Sequence, residues 1–135
     1  MINKFFWGFA ITAITAFGLA AAPNPDMVAK VKSGQIKEAR ASWWGFNAND
    51  STEFLQAAIN SKVPKLIIDS MPNTWNIDPI RLVSNQEIIF EPGAKIAAKR
   101  TSFQDRNATL FTLSKVTNVV IRGSSTNIRM YRDDY

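Results

Sequence analysis

The chain has 135 residues, a formal net charge of +5 and 46% hydrophobic residues, with neither cysteine nor histidine. This composition excludes disulfides, thiolate metal sites and lipidated cysteines, and it removes histidine, the most common general base, from the available chemistry. The length allows one small domain, which core packing must stabilise without covalent cross-links.

Residues 1–22 have the pattern of a bacterial Sec-type signal peptide. Lys4 provides a positive charge, residues 5–19 are apolar apart from threonine and glycine, and small residues follow. Cleavage after Ala20 is favoured, because cleavage after Ala22 would place a proline next to the cut. An uncleaved anchor is the alternative, since the apolar run is near the lower limit for spanning a bilayer. We expect a secreted or periplasmic protein with no stable membrane insertion after cleavage.

Residues 23–49 form a polar leader of moderate helical character, followed by an aromatic segment. The pair Ser33-Gly34 interrupts the leader, so at most two short helical pieces are expected there. Trp43 and Trp44 belong to a run of three aromatic residues within four. Such rings can stack on sugars, or they can pack over the apolar end of the strands that follow. Both uses of the aromatic segment stay open at this point.

Residues 50–135 begin with an amphipathic helix predicted over Thr52 to Asn60. Its apolar face contains Phe54, Leu55, Ala58 and Ile59. Asp50 or Ser51 can cap the first turn, and Pro64 prevents the helix from continuing. A helix directly before the first strand would cover the strand edges and apolar cross-section of a repeating β-structure.

Short apolar runs recur after this helix, and each is followed by a turn. The runs begin at Leu66, Ile88 and Val119, with offsets of 22 and 31 residues. These offsets are too long for hairpins and are typical of one circuit of a solenoid. The pattern therefore predicts an all-β solenoid, a right-handed parallel β-helix of about three coils with an N-terminal capping helix. We expect Ile67, Ile89 and Val120 to lie in register.

Two further segments of the sequence predict details of this solenoid. Ile80 and Leu82 should point inward and Arg81 outward, because side chains alternate across a strand. Residues 99–107 form the longest polar stretch and are predicted to be a loop that leaves the stack, which accounts for the longer second offset.

The basic residues concentrate near the C-terminus of the sequence. From Lys95 to Arg132 there are eight lysine or arginine residues and one acid, Asp105. Such a face would suit an acidic polymer, and the residues predicted to contact it are Lys95, Arg122, Arg129 and Arg132. Alternatively, these outward cations keep a sheet soluble and its edge unpaired. Nucleic acid is disfavoured by the export signal and by the lack of interleaved aromatic residues.

Several segments together resemble a known family, the secreted bacterial proteins with the pectate lyase-like right-handed parallel β-helix. The resemblance covers residues 43–135, and its clearest segments are Trp-Trp-Gly-Phe (43–46), residues 50–59, residues 80–88 and Glu-Pro-Gly-Ala (91–94). It implies the fold more specifically than the function, because this superfamily contains pectate lyases, pectin lyases, polygalacturonases and other proteins. In that superfamily lyases use acidic residues to bind Ca²⁺, with an arginine or lysine as base, whereas the hydrolases use clustered aspartates.

None of those catalytic motifs can be matched residue by residue in this sequence. Asp133-Asp134 is a carboxylate pair, but neighbouring residues of a strand point to opposite faces, so it is a poor catalytic pair. Asp69 and Asp78 are better explained as turn residues. We therefore assign no catalytic, cofactor-binding or metal-binding residue, and Ca²⁺ is expected only in a parent protein that is a lyase.

Three functional hypotheses remain at this stage. The chain can be the N-terminal scaffold of a longer lyase or hydrolase that acts on acidic polysaccharide, and we expect it to be truncated and inactive alone. It can instead be a non-enzymatic β-helix for binding or adhesion. A small secreted sugar-binding domain that stacks sugars on Trp43, Trp44 and Trp75 is the third. A coil stack without a C-terminal cap would also be prone to end-to-end self-association.

Overall fold

Short strands dominate the computed structural model, which describes residues 19–100, 102–105 and 107–131. Most of the predicted signal peptide lies outside these residues. Within them are the α-helices α1 (Pro25–Lys32) and α2 (Thr52–Asn60) and a 3-10 helix (Ala41–Trp44). The strands are β1 (Ala20–Ala21), β2 (Glu38–Arg40), β3 (Phe46–Asn47), β4 (Lys65–Ile68), β5 (Trp75–Ile77), β6 (Ile80–Arg81), β7 (Gln86–Phe90), β8 (Lys95–Ala98), β9 (Phe111–Thr112), β10 (Val119–Gly123) and β11 (Asn127–Arg129). No helix of this part is both long enough and apolar enough to cross a bilayer.

Three parallel sheets contain nine of the strands in the described residues. Their strand orders are β10-β7-β4-β2, β11-β8-β5 and β6-β9, and all the pairs within them are parallel. Each of the strands β4 to β8 pairs with the strand three places further along the chain. The predicted parallel pairing of the runs at Leu66, Ile88 and Val119 is therefore confirmed. A separate antiparallel pair joins β1 to β3.

The register of the third run differs from the prediction by two residues. Ile67 pairs with Ile89 as expected, but Ile89 pairs with Arg122, and Val120 lies beside Glu87. A slip of two residues preserves the inward and outward alternation, so the apolar pattern alone could not distinguish the two registers.

A corner of two asparagines accompanies the observed register. Asn85 and Asn118 have positive φ angles of 60° and 56°, and Asn118 Nδ2 donates to Asn85 Oδ1 at 3.1 Å. Each asparagine directly precedes its strand, β7 or β10. Asparagine tolerates this left-handed conformation better than most residues, so the two corners can adopt the same turn and lie one above the other.

The α2 helix has the predicted bounds, and it closes the N-terminal end of the sheets. Leu55, Ala58 and Ile59 are fully buried, whereas Phe54, also predicted for the buried face, is only half-buried. Phe54 packs instead over Gly45, where a Cβ atom would come within 2.8 Å of the phenyl ring. Ser51 is the N-cap residue, and Asp50 before it accepts a hydrogen bond from the Thr52 amide with its Oδ1 at 2.9 Å.

Polar groups next to α2 satisfy the backbone at this end of the sheets. The side chain of Gln56 accepts from Arg81 N and donates to Arg81 O, both at 2.9 Å. The amide of Ser51 donates to Asn76 O at 2.8 Å, and Asn76 Nδ2 donates to Ala48 O at 2.7 Å. The backbone groups of β6 and β5, each the first strand of its sheet, therefore bond Gln56 and Ser51 and not another strand.

The core lies between the three parallel sheets, and the loop that follows β8 also contributes to it. Ile80 and Leu82 are buried and Arg81 is exposed, as the alternation predicted. Phe103 is 1% exposed, so the polar loop predicted to leave the stack returns one ring to the core. In the leader, α1 ends before Ser33, and Gly34 follows with φ +77°, which confirms the predicted interruption.

Candidate functional site

A shallow groove lies on the outer face of the three-stranded sheet formed by β5, β8 and β11. Its volume is about 130 Å³. The residues that line it come from the three strands and the segments next to them: Thr74, Lys95, Ile96, Ala97, Asn127, Arg129 and Tyr131. The volume is well below the roughly 300–1,000 Å³ of pockets that enclose drug-sized ligands, so the groove suits one small unit of a longer molecule.

Strand alternation and register place two cations on either side of this groove. In β8, Ile96 and Ala98 are inward, so Lys95 and Ala97 point outward. Lys95 pairs with Asn127, and Ala97 pairs with Arg129. Lys95 and Arg129 are therefore diagonal neighbours on adjacent strands, with Cα atoms about 8 Å apart for ideal strand geometry. The small side chain of Ala97 lies between them.

Tyr131 and Arg100 complete one end of the groove. Tyr131 lines the groove two residues after the end of β11, and the Arg100 guanidinium lies 3.7 Å from the centre of its ring. This distance is typical of a cation–π contact, which holds an aromatic ring in place. Sequence reasoning missed both residues, because Arg100 was assigned only to the polar loop and Tyr131 was given no role. The alternation of Asn127, Arg129 and Tyr131 was the available signal.

The electrostatic character of the groove follows from its two cations. No acidic residue lines it within the described part of the chain, and neither Lys95 nor Arg129 forms an ion pair there. Arg122, predicted to belong to the same binding surface, lies on β10 in a different sheet and bonds Glu87 Oε1 at 2.6 Å. The structure therefore joins two of the four predicted cations and separates Arg122. Arg132 lies outside the described residues.

The predicted sugar-stacking tryptophans do not form the groove. Trp75 is 0% exposed, its indole nitrogen donates to Asp69 O at 2.9 Å, and its ring meets Phe46 edge-on with centroids 4.9 Å apart. The prediction that Trp75 stacks on a sugar is therefore wrong, because an inward position of β5 buries it. Trp43 and Trp44 are half-buried in the 3-10 helix and pack against the core.

A second polar cluster joins Lys99 to two carboxylates. Lys99 Nζ lies 2.8 Å from Asp50 Oδ2 and 3.4 Å from Asp78 Oδ2. Burial alone would raise the pKa of Asp50, but hydrogen bonds from Lys99 and Thr52 outweigh it, so this pKa is lowered. The hydrogen bond to Asp50 raises the pKa of Lys99. These shifts keep Asp50 and Lys99 charged near neutral pH. The cluster is therefore suited to fixing the start of α2 to the ends of β5 and β8.

Other acidic residues have structural partners or fall outside the described part. Asp69 directly follows β4, and its Oδ1 accepts from Ser42 N at 3.0 Å, a contact between segments 27 residues apart and not a bond within a turn. Asp133-Asp134 lies outside the described residues. Among the residues that the structure describes, no group of three or more acidic, histidine or cysteine side chains could hold a metal ion.

The groove and the parallel sheets define a sheet-rich protein with a cationic surface site. Comparison of the chain with protein-family models, with curated proteins and with solved structures gives no match.

Proposed function

We propose that the parallel sheets are successive coils of a right-handed parallel β-helix, as the resemblance to the pectate lyase-like family implies. Three observations support this proposal: the pairing of each of the strands β4 to β8 with the third strand after it, the asparagine corner, and a hydrogen bond from Gly93 N to Ser125 O at 2.9 Å that joins consecutive turns. Right-handedness follows the rule for parallel crossover connections, which holds in about 98% of cases.

We further propose that the groove binds an acidic polysaccharide. The observation that carries this proposal is the position of Lys95 and Arg129 on two sides of one groove without an acidic partner in the described residues. A uronate carboxylate can accept charge-assisted hydrogen bonds from both cations. Tyr131 adds an aromatic surface, held by Arg100, against which an apolar face of a sugar ring can pack.

A polysaccharide-binding groove is compatible with two of the three functional hypotheses from the sequence. As the scaffold of an exported lyase or hydrolase, it would hold the polymer while other residues carry out the chemistry. As a non-enzymatic binding or adhesion protein, the groove alone would suffice. We assign no catalytic residue in either case. The third hypothesis, a sugar-binding domain based on three tryptophans, loses Trp75 because this residue is buried.

A binding measurement with matched charge variants tests the proposed function. Titration calorimetry would compare oligogalacturonate with a neutral glucan of similar length, in the wild type and in Lys95→Ala/Arg129→Ala. Each charge-assisted hydrogen bond contributes about 1.5–3 kcal/mol, so the double variant should bind at least about 100-fold more weakly. The control is Lys30→Ala/Lys32→Ala, which removes the same charge from exposed positions of α1. Equal losses in both double variants, or equal binding of the two polymers by the wild type, would overturn the proposal.

A further inference from the structure

Two segments of the sequence contain the tripeptide Asn-x-Ser/Thr, which is the acceptor motif for N-linked glycosylation in exported proteins. The first copy begins at Asn49 and the second at Asn107. A tripeptide this short also arises by chance. A folded chain can be modified only at a copy whose asparagine and hydroxyl side chains are both accessible to an enzyme.

The first copy has a buried hydroxyl group. Ser51 is 0% exposed, and its Oγ donates to Asn47 O at 2.7 Å and accepts from Asn47 N at 3.0 Å. Ser51 is also the N-cap residue of α2, and Asp50 beside it forms an ion pair with Lys99. An enzyme could reach this hydroxyl only if the start of α2 unfolded. The folded chain therefore does not present the copy at Asn49 as an acceptor.

The second copy lies in the loop between β8 and β9, and both of its acceptor side chains are exposed. Within the described residues the side-chain amide of Asn107 has no hydrogen-bond partner. The Thr109 hydroxyl lies 3.3 Å from that of Thr112, a surface contact that water can replace. Phe103 and Leu110, which are 1% and 6% exposed, anchor the loop on either side. The fold thus holds both ends of this segment and leaves Asn107 and Thr109 at the surface.

An acidic residue precedes the second asparagine by two positions. Asp105 is exposed, its Oδ1 accepts from Asn107 N at 3.0 Å, and its carbonyl accepts from Ala108 N at 2.9 Å. The same position before Asn49 is occupied by Asn47. Bacterial oligosaccharyltransferases recognise Asp or Glu at this position, where the carboxylate pairs with a cation of the enzyme. The copy at Asn107 therefore has the bacterial form of the acceptor, which fits the predicted Sec-type export.

We propose that Asn107 is the acceptor of an N-linked oligosaccharide, which is added to the folded chain after export. The co-reactant is an oligosaccharide linked through pyrophosphate to a membrane lipid. Asn107 Nδ2 attacks C1 of the first sugar and loses one proton. An N–C1 bond forms, the C1–O bond to the pyrophosphate breaks, and the lipid pyrophosphate leaves with the bonding electron pair.

Transfer of a glycan to the purified full chain tests this proposal. The folded chain would be incubated with a bacterial oligosaccharyltransferase and a lipid-pyrophosphate-linked oligosaccharide, and mass spectrometry of the intact chain would count the glycans added. We expect one glycan, which peptide mapping should locate on Asn107. Asn107→Gln should abolish transfer, and Asn49→Gln should leave it unchanged. Asp105→Asn should reduce the rate of transfer more than about tenfold.

A peptide that copies residues 103–111 is the matched control, because it carries the same acceptor without the fold. Absence of transfer to the folded chain would overturn the proposal, and the peptide would show whether access or the sequence is the cause. Transfer to Asn49, or equal rates for the wild type and Asp105→Asn, would also overturn it. The three substituted residues are exposed, so circular dichroism should show unchanged folding in all the variants.

Discussion

The side-chain amide of Gln56 bonds both backbone groups of Arg81, accepting from the amide and donating to the carbonyl at 2.9 Å each. It provides β6 with the hydrogen bonds that a neighbouring strand would supply. A residue on the second turn of α2 thus completes a sheet edge 25 positions further along the chain.

Replacing Gln56 should therefore destabilise the N-terminal end of the sheets. Gln56→Ala removes three partly exposed hydrogen bonds, two with the Arg81 backbone and one to Asn60 Oδ1, and we expect a loss of about 1 kcal/mol in the free energy of unfolding. Gln56→Glu keeps the acceptor for Arg81 N but at pH 7 places a carboxylate oxygen against Arg81 O, so it should also destabilise the protein. Urea unfolding measures both. Gln104→Ala, an exposed loop residue, is the control and should change the unfolding midpoint very little. If Gln56→Ala unfolds at the same urea concentration as the wild type, water forms the lost hydrogen bonds equally well and the prediction is wrong.

Two adjacent apolar residues of α2 should differ in their contribution to stability. Leu55 is 0% exposed, so Leu55→Ala should cost about 2–5 kcal/mol. Phe54 is half-buried, and Phe54→Ala should cost about half the value of a fully buried phenylalanine, roughly 2 kcal/mol. Denaturant unfolding of the two variants under one buffer condition makes the comparison. A greater loss for Phe54→Ala would show that the phenyl ring, rather than the buried leucine, holds the helix in place.

Gly45 and Phe54 should show strong energetic coupling. Gly45 has φ +118°, and a Cβ there would lie 2.8 Å from the Phe54 ring, so Gly45→Ala adds a steric clash to backbone strain of about 1–3 kcal/mol. In a Phe54→Ala background the clash disappears and only the strain remains. A double-mutant cycle by thermal unfolding should therefore give a smaller cost for Gly45→Ala in that background. Additive costs would indicate that the ring moves away freely.

The Lys99 cluster should make stability depend on pH at both extremes. The pKa of Asp50 is lowered from 3.8, so its contribution is present above that value and is lost as the pH falls through the folded-state pKa. The pKa of Lys99 is raised from 10.5, so its contribution is complete below that value and is lost as the pH rises through the folded-state pKa. Between about pH 5 and pH 9 the contribution of the pair should be constant.

Lys99→Met should flatten both limbs of this pH dependence, which urea midpoints from pH 2 to pH 11 would record. Lys95→Met is the matched control, because Lys95 has no ion pair in the described residues. It removes the same charge and should shift the curve without flattening it. Identical pH profiles for the two variants would show that net charge, and not the contacts with Asp50, determines the dependence.

Local patterns predicted the helix and the strands well, because each depends on residues close together in sequence. The α2 bounds follow from apolar spacing and from Pro64, and the outward position of Arg81 follows from alternation. Parallel pairing also followed, since the offsets between apolar runs are too long for hairpins. Val120 was placed two residues out of register because alternation is unchanged by such a slip.

The site could be predicted only in part, because it depends on register across about 30 residues. Charge density indicated Lys95 and Arg129, but charge alone could not separate them from Arg122, which lies in another sheet beside Glu87. Tyr131 belongs to the groove only when β11 is aligned with β8. Trp75 was assigned to the surface from its chemistry, whereas its inward position in β5 buries it.

The hydrogen bond between Asn85 and Asn118 has a consequence for the folding route. The alternative register of β10, with Val119 beside Ile88, would place an apolar residue at the same inward position, so it is a nearby trap for the folding chain. In that alignment Asn118 would lie beside Glu87, and the two side-chain amides could not meet. A chain that closes the asparagine corner before β10 pairs avoids the trap. Refolding of Asn118→Ala should therefore show a slow phase, caused by chains that must detach and realign a strand whose sheet contacts are almost correct.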